Sequence, residues 1–172
     1  MTFGDLFEAH AAFVFRCVRH LGAREADVPD CAQEVFLVAH QKREQLRESA
    51  GARSWLYRIC FHVVRNHQRL AHVRRERPSE APAARLRNPT PADPVERRET
   101  RSRLESVLMA LDADKRAVLV AHAIEEMSMR EIAEALQIPQ KTAYSRLYAA
   151  RRSARAIWEE SDARDPKQGG AR

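Results

Sequence analysis

From Phe3 to Leu21 the residues Phe3, Leu6, Phe7, His10, Phe13, Val14, Cys17, Val18 and Leu21 recur at three- and four-residue intervals. That is the period of one face of an α-helix. Gly22 is placed to end this helix, and Asp27 to cap the next, in which Ala32, Val35, Phe36 and Ala39 face inward. A polar stretch, HQKREQLRESAGAR, separates that helix from a third, predicted over residues 54–74 with Trp55, Ile59, Val63 and Leu70 inward. Near the other end, Ser128 precedes Glu131 by three residues, the signature of a capping box. Ile132, Ala133 and Leu136 follow at helical spacing. Pro139 disfavours helical backbone at Ile138 and can itself open a new helix, whose inner face is Ala143, Leu147 and Ala150. No stretch alternates with a period of two for long enough to argue a strand. The pattern predicts an all-α chain.

Between these two helical regions the pattern stops. Five of the chain's eight prolines, Pro78, Pro82, Pro89, Pro91 and Pro94, fall in RPSEAPAARLRNPTPADPVE. Proline removes a backbone donor and breaks helices, so this composition predicts an extended spacer without a packed core. The expected organisation is a helical domain over residues 1–76, a flexible linker over 77–100, a second helical domain over 101–160 and a disordered tail over 161–172. Two such domains are expected to move independently when the protein is free.

Charge sharpens the picture. The 172 residues carry a formal net charge of +6, which favours an anionic partner. Residues 51–75 contain no acid, yet hold Arg53, Arg58, Arg65, Arg69, Arg74 and Arg75. Residues 139–156 are equally free of acid and hold Lys141, Arg146, Arg151, Arg152 and Arg155. A solvated helix face usually mixes its signs, and a one-signed run points to a polyanion. No apolar run approaches the roughly 20 residues of a membrane span, so no membrane insertion is expected. MTFGDLFEAH lacks the basic head and apolar stretch of a signal peptide. Cys17, Cys31 and Cys60 are few and scattered, as expected of reduced thiols in the cytoplasm.

Two short helices across a tight turn, the second one basic, fit a helix-turn-helix, whose second helix enters the major groove. In the acid-free stretch of the N-terminal half, Trp55, Tyr57 and Phe61 are interleaved with arginines. Basic side chains can track a phosphate backbone while aromatic surfaces receive unstacked bases. Trp55 at helical spacing with Ile59 equally fits a core position. His62, His67 and His72, five apart beside Cys60, spread around a helix and lack metal-site spacing. Cys60 and His62 alone lack the positioned base and orienting group a nucleophile requires, so neither enzyme activity nor a cofactor is expected.

DCAQEVFLVAH, from Asp30 to His40, resembles the Asp-x-x-Gln-Glu-x-Phe signature in the second conserved region of bacterial RNA polymerase sigma factors. SWLYRICFHVVRNHQRLAHVRR is similar to the helix that follows it in the extracytoplasmic-function (ECF) group. The run from Leu111 to Arg155 resembles that group's fourth region. The likeness covers roughly Phe3 to Arg75 and Leu104 to Ile157. It departs at Gln137, where the family often has glycine, which suggests a less extreme backbone angle there. It departs also at Ala143 and Tyr144, where valine and lysine are common, and at Ala113-Asp114, which replace a Pro-Pro pair and leave Asp112 or Asp114 to cap the helix.

The resemblance implies a transcription initiation factor that binds RNA polymerase core and promoter DNA. Asp30, Gln33 and Glu34 lie where the family meets the polymerase clamp. Arg53, Arg58, Arg65, Asn66 and Arg69 would hold the melted minus-ten strand. Gln140, Lys141, Thr142, Tyr144, Ser145 and Arg146 would read the minus-thirty-five duplex, with Arg151 and Arg152 on phosphates. An anti-sigma factor is implied as a further partner. The alternative is a helix-turn-helix regulator that is not a sigma subunit, and the DCAQEVF stretch in a helical N-terminal half argues against it.

Overall fold

A computed structural model describes residues 3–48, 51–76 and 95–163. Seven α-helices span them: α1 Phe3–Leu21, α2 Val28–Gln41, α3 Ala52–Glu76, α4 Val95–Ala110, α5 Ala113–Ala123, α6 Met129–Leu136 and α7 Gln140–Ala163. The fold is all-α, and no strand occurs among the described residues. Helices α1, α2 and α3 pack on one another, α5, α6 and α7 form a second group, and α4 lies against α7.

Local chemistry sets most of the boundaries. α1 ends in a Schellman motif. Gly22 sits at φ +106°, its N–H donates to the Arg19 carbonyl and the Ala23 N–H donates to the Val18 carbonyl, which is the pairing that motif requires. Asp112 caps α5, accepting from the Lys115 N–H at 2.9 Å. Asp27 does not cap α2. Its carboxylate takes Arg24 Nε at 2.5 Å instead, and α2 begins with Val28 and Pro29, proline being suited to a first helical turn. The polar stretch before α3 contains a 3-10 helix, Arg43–Glu48.

Two expected boundaries move. α4 starts at Val95, so residues 95–100 belong to a helix and not to the linker. They follow Pro94, the last proline of that stretch, and no proline or glycine lies between residues 95 and 110. α7 continues through Ala163, so residues 161–163 are helical, with Ser161 Oγ donating to the Trp158 carbonyl. Residues 77–94 and 164–172 lie outside the described residues.

The apolar core is continuous across both helical groups. Of the inward positions expected in α3, Trp55, Ile59 and Val63 are buried, whereas Leu70 is half exposed. Phe7, despite its place in the α1 rhythm, is also half exposed and packs on Phe36 with ring centroids 4.7 Å apart. The two halves are docked and not separate: α1 meets α4 and α5, and α3 meets α5 and α6. Tyr57 Oη donates to the Ala117 carbonyl at 2.7 Å. Arg116, buried in α5, donates to the Leu108 and Leu111 carbonyls at the end of α4 and to the Leu21 carbonyl at the end of α1.

Candidate nucleic-acid and polymerase interfaces

The helix-turn-helix is built by α6 and α7. Ser128 Oγ accepts from the Glu131 N–H, and the Glu131 carboxylate accepts from the Ser128 N–H at 2.8 Å, which completes the capping box. The hydrogen bonds from Ser128 hold the Glu131 carboxyl below its ordinary range. At the other end of α6 the expectation for Gln137 fails. It adopts φ +54°, ψ +46°, the left-handed region, and the N–H groups of Gln137 and Ile138 donate to the Glu134 and Ala133 carbonyls. This is the termination that glycine makes elsewhere, carried here by a residue with a side chain. The turn needs that angle whether or not glycine is there, because it must reverse the chain before Pro139 opens α7.

On α7, Ala143, Leu147 and Ala150 are buried against α5 and α6. At about 100° per residue, the opposite face carries Gln140, Lys141, Tyr144, Ser145, Tyr148, Arg151, Arg152 and Arg155, all exposed. Tyr148 is 68% exposed and was not anticipated; its four-residue spacing from Tyr144 is the signal that marks it. Arg146 and Thr142 lie off this stripe. Arg146 Nη2 pairs with Asp114 Oδ2 at 3.1 Å, and the Thr142 carbonyl accepts from Ser145 Oγ.

On α3 the structure brings Arg58, Arg65, Asn66 and Arg69 to one side, with Arg69 donating to Asn66 Oδ1 at 3.3 Å. His62 shares that side. Burial first, then the charges of Arg58, Arg65 and Lys42, push its imidazole below the ordinary value. Arg53 is turned away by about 160°, and its guanidinium stacks over the Phe13 ring at 5.0 Å. The aromatic residues do not join this surface. Trp55, Tyr57 and Phe61 are all buried, so they form core and offer no stacking platform in this arrangement.

On α2, Asp30 and Gln33 are exposed, while Glu34 meets His67 Nε2 on α3 at 2.6 Å. Leu37, one turn beyond Gln33, is 57% exposed. Nothing in the apolar run Val35-Phe36-Leu37-Val38-Ala39 distinguishes it from its buried neighbours by type; only its helical angle does. The three cysteines are free and buried. Among the described residues no group of three or more His, Cys, Asp or Glu is placed to hold a metal, and no helix is long and apolar enough to cross a membrane.

A helix-turn-helix with an arginine-rich outer stripe, in one chain with a second basic helix that carries no acid before Glu76, fits a DNA-binding protein of the transcription machinery. Sigma-70 region 2 matches residues 6–76 and Sigma-70 region 4 matches residues 101–153. The chain is 30% identical over 151 residues to the ECF RNA polymerase sigma factor SigM of Mycobacterium tuberculosis, covering 87% of this chain and 74% of that one. It is 29% identical over 164 residues to the RNA polymerase sigma factor CnrH of Cupriavidus metallidurans, covering 91% and 86%. The solved structure of CnrH in complex with the cytosolic domain of CnrY superposes with a TM-score of 0.68 at 27% identity, over 95% of this chain and 89% of that chain. The sigma factor RpoE of Bartonella quintana shares the fold at 16% identity, also with a TM-score of 0.68. The chain belongs to the ECF family of RNA polymerase sigma factors. It is a transcription initiation factor that works with RNA polymerase, and not an enzyme.

Proposed function

We propose that this sigma factor docks on RNA polymerase core through the α2 face of Asp30, Gln33 and Glu34, extended by Leu37, and directs it to specific promoters through two DNA surfaces. Arg58, Arg65, Asn66 and Arg69 on α3 would follow the melted minus-ten strand, joined by Arg53 once it is free of its present partners. The α7 stripe would read the minus-thirty-five element as duplex: Gln140, Lys141, Tyr144, Ser145 and Tyr148 toward base edges, Arg151 and Arg152 on phosphates. Thr142 and Arg146 would flank that contact. The observation that carries the reading is the outer face of α7, acid-free from Gln140 to Arg155, directly after the capped α6 and its left-handed turn. That CnrH is solved in complex with the cytosolic domain of CnrY supports a protein partner for this chain as well, which the family reading takes to be an anti-sigma factor met in the cytoplasm.

Run-off transcription with purified core polymerase tests the reading. A sigma subunit gives promoter-specific transcripts that core alone does not. A regulator that merely binds DNA would retard promoter duplex and yield no transcript with core. Charge reversal at Arg65 and Arg69 should spare duplex binding and block strand opening, whereas reversal at Lys141 and Arg151 should abolish duplex binding. Failure of both pairs at the same step would mean one general electrostatic patch.

A further inference from the structure

Tyr144 and Tyr148 stand one turn apart on the outer face of α7, 44% and 68% exposed. The third tyrosine of the chain, Tyr57, is buried with its hydroxyl on the Ala117 carbonyl. Trp158, farther along α7, is covered by the Arg103 guanidinium, 4.0 Å from the ring centroid. Tyr144 and Tyr148 have no such cover. Among the described residues no cation lies over either ring, no other ring packs on them, and neither hydroxyl has a hydrogen-bond partner. A single exposed ring needs no explanation. Two bare rings on one basic stripe aim an apolar surface at whatever the stripe meets.

Their place along the helix says what that is. A rise of about 1.5 Å per residue puts Tyr144 about 6 Å and Tyr148 about 12 Å beyond Gln140, the first residue of α7. The major groove is about 12 Å wide. Both rings fall within it when a recognition helix enters by its N-terminal end, whereas Arg151, about 16 Å along, reaches the groove wall and its phosphates. The groove floor presents polar atoms at every base pair and one apolar group, the C5-methyl of thymine. An aromatic face can cover that methyl but offers no hydrogen bond to a polar edge.

We propose that Tyr144 and Tyr148 are specificity-determining residues that read thymine methyl groups in the upstream promoter duplex. The two rings are attached about 6 Å apart along the helix, so the thymines they cover lie within about two base-pair steps of about 3.4 Å each. Gln140 and Lys141, at the helix start, take the hydrogen-bonding edges beside them. The proposal rests on the promoter reading above and adds the chemistry by which that surface selects its sequence.

Deoxyuridine in place of thymine tests it, because it deletes one methyl and leaves every hydrogen-bonding edge intact. Holoenzyme assembled from core polymerase and the full chain selects from duplexes randomised upstream of a fixed start region. Each thymine of the selected duplex is then replaced by deoxyuridine and the affinity of the holoenzyme measured. Removing a covered methyl should weaken binding about 4-fold, at two neighbouring positions. Tyr144→Ala and Tyr148→Ala should each bind the thymine duplex more weakly and each lose the uridine effect at one of those positions. Tyr148→Phe, which keeps the ring, should keep the effect. Uridine without effect at every position, a selected sequence without thymine, or a uridine effect that persists in both alanine variants overturns the methyl reading and leaves the promoter reading standing. Loss of the uridine effect in Tyr148→Phe assigns the contact to the hydroxyl and also overturns it. A selection that yields no shared upstream sequence overturns the promoter reading itself.

Discussion

Gln137 holds a left-handed angle that costs a residue with a side chain roughly 1–2 kcal/mol, and its N–H and that of Ile138 close α6. Gln137→Gly should stabilise the protein by about 1 kcal/mol in urea unfolding, with duplex binding unchanged. Ser128→Ala should cost about 1 kcal/mol at neutral pH by opening the capping box. The sign with pH follows from Glu131. Its carboxyl titrates below the ordinary range in the folded state, so its contribution is complete above that range and is lost as pH falls through the folded value. The Ser128→Ala penalty should accordingly shrink below about pH 4. His62 offers a reporter on the other surface. Its titration, followed by NMR, should lie below about 6.5 in the free protein and rise when a single-stranded oligonucleotide places phosphate beside Arg58 and Arg65.

At the scale of elements, periodicity located all three N-terminal helices and both helices of the turn motif, because each buries one face. It misplaced Leu70, which sits near the end of a long helix and is half exposed, since the helix there has begun to outrun the core it packs on. It left Trp55, Tyr57 and Phe61 ambiguous, because an aromatic residue at helical spacing serves core and stacking equally well until its neighbours are known. Composition found the basic faces of α3 and α7 but could not show that Arg146 leaves the α7 stripe for Asp114, a residue 32 positions away. A duplex contact by Arg151 should show in salt dependence. Arg151→Ala should reduce the slope of log K against log salt by about one for promoter duplex, uniformly across sequences, whereas Tyr148→Ala should change sequence preference more than slope.

For the whole molecule, the sequence read as two domains and a spacer, and the docked arrangement was not legible in it. Interfaces between halves are made by residues such as Arg116, Tyr57 and Glu125, whose buried carboxylate pairs with Arg16 of α1 at 2.8 Å, and which look unremarkable in their own segments. If the interface holds as described, a protease site engineered into residues 77–94 should yield, after cutting, two fragments that still co-elute. Glu125→Arg should separate them on the same column. Fragments that part in the wild type would mean that the covalent connection, and not the interface, keeps the halves together.

The end of α1 ties two positions 94 residues apart into one unit of inheritance. A Cβ on Gly22 would lie 2.2 Å from Arg116 Nη1, so the bare backbone of one half is the keyhole for a side chain of the other. Alanine at position 22 suffers from its left-handed angle, from the arginine and from Gln68 Nε2, which would lie 2.7 Å from the Cβ. In a background where Arg116 is already alanine, the nearest clash is gone, while the backbone angle and the Gln68 contact remain. The two substitutions should therefore be epistatic: the double variant should be more stable than the sum of the single effects allows. A lineage that lost the arginine would be released from the nearest clash at position 22, though not from the Gln68 contact or the backbone angle, while one that kept it would find the glycine nearly irreplaceable.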